Sequence, residues 1–242
     1  MRVRTLLKHQ LRRLGLEVSR FNRPDSFAAR RQRLLSRLDI NLVLDAGAND
    51  GGFGLELRGA GYEGRIISFE PLPGPFASLE NRLRRDARWD ALPWGLGDVR
   101  TEAVMHVTRD DKCSSVLRPL DRQTHAYAGS IPTGSTRVRI EALDGVYADL
   151  VGEADRPFLK IDTQGYEMHV LRGADRSLGT LMGLQIELSL VPLYEGSSSY
   201  IELLTCMQER CFVPVAIEPV FSDPATDQLL QVDALFERSP RS

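Results

Sequence analysis

Asn41–Phe53, NLVLDAGANDGGF, is the stretch whose reading decides the fold of this chain. An apolar run, Leu42, Val43 and Leu44, ends on Asp45 and breaks into the small residues Ala46, Gly47, Ala48 and Asn49. Gly51 and Gly52 then lead into a helical pattern. The run predicts a buried strand, the small residues a tight turn, and the remainder a helix start. Glycine suits a turn where the backbone takes positive φ or where a ligand comes too close for a Cβ. The first turn of the following helix leaves N–H groups unpartnered, and a ligand with polar edges can satisfy them. Alone, a G-x-N-x-G turn also fits an ordinary strand-to-helix connection, so the rest of the chain has to decide.

Outward from this turn, residues 52–60 predict a helix that stops at Gly61, a natural C′ residue. RIISF (65–69) predicts a second strand ending in Glu70-Pro71. Residues 72–86 predict a helix with Phe76, Leu79 and Leu83 on one face, and 89–95 a third strand. This alternation predicts an α/β fold with a parallel sheet wound by right-handed crossovers. Strands over 101–107 and 136–143 bracket a polar excursion, about 100–143, too long for a routine connection and read as a functional loop or lid. The pattern resumes with a strand at 157–162 (PFLKID), a helix through 167–171, a strand at 181–188 and a helix at 199–209. Closing strands at 212–218 and 228–236 follow. Residues 1–38 are read as a basic helical N-terminal extension and 39–242 as the main domain.

The 242 residues are 42% hydrophobic and 26% charged, which excludes wholesale disorder, and no apolar run reaches the roughly 20 residues of a membrane span. The basic start runs into an amphipathic stretch rather than a signal-peptide core, so a cytoplasmic location is expected. Cys113, Cys206 and Cys211 are odd in number and lack metal spacing; they are read as reduced packing residues. Charge is uneven. Residues 1–40 hold eleven Arg/Lys and three acids, leaving twenty bases against thirty acids from totals of 31 and 33. The basic segment suits contact with anionic lipid at the inner membrane face, although a solvated helical face explains the same charges. The acidic body, with no aromatic-rich basic strand, argues against a nucleic-acid partner.

Three acids fall where strands of a parallel sheet end: Asp45 after LVL, Glu70 after IISF and Asp162 after FLKI. Ligands of open α/β sheets bind beyond the carboxyl ends of strands, so the three are expected to line one crevice. Glu70, at the end of the second strand, suits the diol of a ribose. Acids at strand ends also cap helices and accept turn N–H groups, the bland alternative for any one of them. The turn lacks the third glycine of G-x-G-x-x-G, and no P-loop is present. Asp45 and Asp50 flanking it disfavour a diphosphate and suit a cofactor with an ammonium and a sulfonium, such as S-adenosylmethionine.

DAGANDGGF, SFEPLP, the GLGD turn with a downstream CSSV, LKIDTQGYEMHVLRGA and IELSLVPLYEG resemble successive motifs of the FkbM-type S-adenosylmethionine-dependent methyltransferases, over roughly residues 40–236. The resemblance implies the class I methyltransferase (Rossmann-like) fold: a seven-stranded, mostly parallel sheet with an antiparallel last strand and helices on both faces. It also implies O-methylation of a hydroxyl on a sugar, glycolipid or polyketide-type natural product. By the same resemblance Asp45, Gly47, Asn49 and Gly51 correspond to the cofactor loop, Glu70 to the ribose acid and Asp98 to an acid near the adenine edge. The first forty residues lie outside it.

Methyl transfer needs an aligned acceptor oxygen and a destination for its proton. Asp162 leads as base, with Gly165 permitting close backbone approach. Lys160 on the same strand face holds Asp162 ionised, orients the acceptor, or forms a structural ion pair. Glu187 and His169 follow as catalytic candidates, and a divalent cation such as Mg on Asp162 and Glu187 is left open. Glu167 is read as favouring its helix N-terminus, Ser114 and Ser115 as contacts in the excursion, and Tyr194 with Glu195 as the acceptor rim. The rivals are an O- or N-methyltransferase of a small soluble metabolite and a non-catalytic nucleotide-binding module.

Overall fold

The computed structural model describes residues 26–239; the membrane-contact reading of the basic segment falls largely on residues 1–25, outside those described. The strands are β1 (Leu42–Ala46), β2 (Arg65–Phe69), β3 (Trp89–Leu92), β4 (Gly95–Leu96), β5 (Thr101–Thr108), β6 (Pro132–Glu141), β7 (Pro157–Ile161), β8 (Gly183–Ser189), β9 (Phe212–Ser222) and β10 (Leu229–Arg238). The helices are α1 (Phe27–Arg37), α2 (Gly52–Gly59), α3 (Pro73–Leu83), α4 (Asp121–Ala126), α5 (Leu143–Leu150), α6 (Glu167–Gly173) and α7 (Tyr200–Glu209).

Seven strands form one sheet in the order β3-β2-β1-β7-β8-β10-β9. Pairs are parallel from β3 to β8, and β10 runs antiparallel to both neighbours. This is the expected sheet with its antiparallel last strand. β1 lies inside the sheet between β2 and β7 and is buried at all five positions because helices cover both faces. Side chains alternate across the strand. Leu42 and Leu44 join a core with Leu171 and Met207 of α6 and α7, whereas Val43 joins Phe27, Leu57 and Leu79 of α1, α2 and α3. Strand order reverses between β1 and β7, and the crevice opens there.

Helix α1 starts at Ser26, whose side chain accepts a hydrogen bond from Ala29 N at 3.3 Å. Its buried residues, Phe27, Arg31, Leu34 and Leu35, fall on one stripe. The helix therefore packs on the sheet and carries an arginine inward.

Two expectations change. The strand read over 89–95 is two strands, because Pro93 has no N–H for the ladder. Trp94 then inserts beside Phe69 at a ring distance of 5.0 Å, and β4 pairs with β6 in a separate sheet ordered β4-β6-β5. Helix α5 is the second change: Gly145 and Val146 weaken its pattern, and burial of Leu143 secures it. The excursion folds as β5 and β6 paired antiparallel, with α4 and short turns between them.

Candidate active site

Cross-strand register sets Ser68, Asp45, Lys160 and Gln185 side by side on β2, β1, β7 and β8. Trp89 Nε1 donates to Ser68 Oγ at 3.0 Å, and Ser68 Oγ donates to Asp45 Oδ2 at 3.3 Å. Lys160 Nζ lies 3.3 Å from both Asp45 Oδ1 and Asp162 Oδ2 and donates to Gly47 O at 3.2 Å. Burial works against the Lys160 ammonium, but Asp162, Asp45 and Asp233 outweigh it and hold its pKa above the usual lysine value. Burial pushes the Asp45 carboxyl up while Lys160 pulls it back. Asp45, fully buried, lines neither of the two cavities at these strand ends and ties the strands together from beneath.

The turn after β1 lies over this row. Gly47 has φ +77°, and a Cβ there would sit 1.9 Å from the Asp162 carbonyl oxygen. Its glycine is required by the approach of two strand ends. Gly51, φ +86°, would drive a Cβ to 2.8 Å from Leu79 and 3.2 Å from Trp89, so it is a packing glycine. Asn49 N donates to Glu70 Oε2 and Leu72 N to Glu70 Oε1, both at 2.8 Å. Burial pushes the Glu70 carboxyl up to about 7 against those two hydrogen bonds. Asp50 pairs with Arg82 at 2.6 Å. Both acids flanking the turn are thus compensated, which removes the electrostatic argument against a diphosphate.

Two cavities meet at Gly47, Asn49, Lys112, Asp162 and Gln164. One is a narrow slot of about 60 Å³ beside Glu70, with Leu72, Leu96, Met105, Val116 and Ile140 on its walls. The other, about 480 Å³, is polar and reaches Glu187, Asp233, Arg31 and Phe53. The excursion roofs the junction: Asn49 Nδ2 donates to Asp111 Oδ1 at 3.1 Å. Ser114 lines the slot. Ser115 is fully buried; its Oγ accepts from Leu117 N at 3.0 Å, and that bond braces the same roof.

Asp162 is 36% exposed at the junction, and Gln164 Nε2 donates to its Oδ1 at 2.8 Å and to Glu187 Oε2 at 3.0 Å. Burial, and then Asp162, raise the Glu187 carboxyl well above its ordinary range. Glu167 accepts from Thr163 N and Gly165 N at 3.1 and 3.0 Å, bracing the turn after β7. His169 Nδ1 lies 2.7 Å from Asp98 Oδ1 and its ring stacks on Tyr166 at 4.1 Å. Neither His169 nor Asp98 lines either cavity. Tyr194 is buried, not a rim residue; its hydroxyl lies 2.7 Å from Gln164 Oε1, which accepts its proton. Glu195 lines a separate surface pocket with Arg118. Among the described residues, no group of three or more His, Cys, Asp or Glu is arranged to hold a metal ion.

Sequence reasoning missed Arg31, Gln123, Gln185 and Asp233. Arg31 NH1 donates to Gln185 Oε1 at 3.1 Å, its NH2 meets Glu56 at 2.6 Å, and its guanidinium stands 4.8 Å from the Phe53 ring. Gln185 Nε2 donates to Asp233 Oδ2 at 3.0 Å. Gln185 and Asp233 each interrupt an apolar run, LMGLQIEL and LLQVDALF, a readable signal for a buried polar site.

The buried carboxyls predict a pH dependence. Burial raises Glu70 and Glu167 to about 7 and Asp233 to about 6. The folded chain holds protons that the unfolded chain releases, so this stability is complete below the ordinary values near 4 and is lost as pH rises through 6–7. Each tenfold difference in proton affinity is about 1.4 kcal/mol. The thermal midpoint of the free protein is expected to fall by several degrees from pH 5 to pH 8; a midpoint that rises over that interval contradicts the assignment.

This chain is similar in sequence to known methyltransferases. The family model described as "Methyltransferase FkbM domain" matches residues 45–214. A protein named Methyltransferase 1, from Beauveria bassiana (strain ARSEF 2860), is 25% identical over 201 residues, 77% of this chain and 78% of its own length. A solved structure described as an rRNA methylase from Streptococcus thermophilus covers 92% of this chain and 100% of its own, with TM-score 0.49 and 13% identity. A putative tRNA methyltransferase from Streptococcus pneumoniae, in complex with S-adenosyl-L-methionine, covers 87% and 75%, with TM-score 0.45 and 13% identity. The exclusion of nucleic acid drawn from charge is corrected by these two: chains described as RNA methylases are among the solved structures similar to this one. Neither assigns a substrate to this chain. No helix among the described residues is long and apolar enough to cross a membrane.

Proposed function

This chain belongs to the FkbM methyltransferase family, and from that premise we propose that it is an O-methyltransferase acting on a hydroxyl of a sugar, glycolipid or polyketide-type natural product, with Asp162 accepting the hydroxyl proton. The observation that carries the reading is the place of Asp162, partly exposed where the slot beside Glu70 opens into the larger polar cavity.

The residues fit S-adenosylmethionine. A carboxylate has about four lone-pair sites and Glu70 uses two for backbone N–H groups, leaving capacity for a ribose diol. The apolar walls beside it suit a flat heteroaromatic ring. Gly47, Asn49 and Glu70 would hold the cofactor, which supplies a methyl carbon made electrophilic by its sulfonium.

The protein's own work is alignment and proton handling. An acceptor hydroxyl placed in the larger cavity meets Asp162, whose two oxygens are fixed by Lys160 and by the Gln164 amide. Such fixation keeps the proton acceptor in one orientation, which general-base catalysis requires. Glu187, tied to Gln164 and Gln231, supports Asp162 from the next strand.

Calorimetry with S-adenosylhomocysteine tests the cofactor side. The wild type is expected to bind, and Glu70→Ala to weaken binding about 10- to 100-fold, the value of charge-assisted hydrogen bonds to a diol. Absence of binding by the wild type sinks the reading.

A further inference from the structure

Four glutamine side chains wall the 480 Å³ cavity: Gln123, Gln164, Gln185 and Gln231. Three are engaged. Gln164 donates to Asp162 and Glu187, Gln185 links Arg31 to Asp233, and Gln231 Nε2 donates to Glu187 Oε2 at 2.6 Å. Gln123 differs. It is 2% exposed, and its Oε1 is buried without a hydrogen-bond partner although the residue lines the cavity. Gln123 belongs to α4, one turn before Tyr127. Tyr127 meets Phe221 edge-on at 6.5 Å, and both residues line the same cavity. Buried amides are almost always paired, so an unpaired one on the wall of a cavity is accounted for by a ligand that completes it as the side chain turns toward the cavity.

We propose that Gln123 is an acceptor-binding residue, its amide oxygen accepting a hydrogen bond from a non-reacting hydroxyl of the acceptor while the reacting hydroxyl lies at Asp162. The inference rests on the methyl-transfer reading and deepens it. Charge narrows the acceptor. On the cavity walls Arg31 is taken by Glu56, and Lys160 by Asp45 and Asp162, so an uncharged, hydroxyl-rich molecule is favoured over one bearing carboxylate or phosphate, which needs a cation to spare.

Gln123→Met keeps the volume and removes the polar atoms. The probe is the combined polar and lipid extract of cells lacking the gene, offered with methyl-labelled S-adenosylmethionine. The variant is expected to raise the half-saturating amount of extract about tenfold, leave S-adenosylhomocysteine affinity unchanged and leave the thermal midpoint level or higher, because an unpaired amide is gone. The labelled product should pass an anion exchanger. Unchanged half-saturation overturns the assignment, and so does a midpoint lowered by several degrees, which means the amide is paired within the fold. Retention on the exchanger overturns the charge assignment. Wild-type protein that binds S-adenosylhomocysteine yet labels nothing removes the methyl-transfer reading and this inference with it; wild-type labelling with an indifferent variant removes only the inference.

Discussion

Asp162→Asn lowers turnover by about 10² to 10⁴-fold at saturating cofactor, the usual worth of a positioned general base. Asparagine keeps the shape and offers no basic oxygen for the hydroxyl proton. The fold should tolerate the change, since Asp162 is 36% exposed and its contacts are the Lys160 ammonium and the Gln164 amide. S-adenosylhomocysteine affinity should therefore stay within a few-fold of wild type, and rate and affinity separate. Single-turnover rates with labelled cofactor measure the first, calorimetry the second. A near-normal rate removes Asp162 from the role; an equal loss in both marks it as a binding residue.

Lys160→Met should unfold the protein more readily than any other substitution in the site. It removes the cation 3.3 Å from Asp45, a carboxylate with no solvent access, and from Asp162. Removing one partner of a buried pair costs about 3–5 kcal/mol, because the remaining charge is uncompensated. Acid moderates the penalty: Asp45 is already pushed up by burial and sheds its charge by taking a proton. Denaturant melts at pH 8 and pH 5 should show the larger loss at pH 8, and adding Asp45→Asn should restore much of it. Equal losses at both values, or no recovery in the double variant, argue against the ion pair as the cause.

The sheet was legible because strand periodicity and the glycine turns act locally. The turn after Asp45 and the apolar run before Asp162 declared their ends. Roles were less legible than positions. Asp45 looks like Glu70 in sequence, yet one is sealed under Lys160 and the other borders a cavity; only cross-strand register separates them. Gly51 reads as a ligand glycine and proves to be the space taken by Leu79 and Trp89. His169 has the chemistry of a base, and Asp98 and Tyr166 turn it aside. The larger cavity was least legible. Arg31, Gln123 and Asp233 converge on one cavity from three remote segments, and no local pattern records such convergence.

The contact at Gly47 has a mechanical consequence. The turn after β1 and the end of β7 touch backbone to backbone, with no room for a methyl group at Gly47. Neither can be displaced without the other, so they behave as meshed teeth. The excursion is tied to its neighbours by side chains instead: Asn49 to Asp111, Ser115 to Thr163 O and Tyr194 to Cys113 O. On the proposed reading that contact stays fixed, while substitutions in α1, the excursion and β10 alter the walls of the larger cavity.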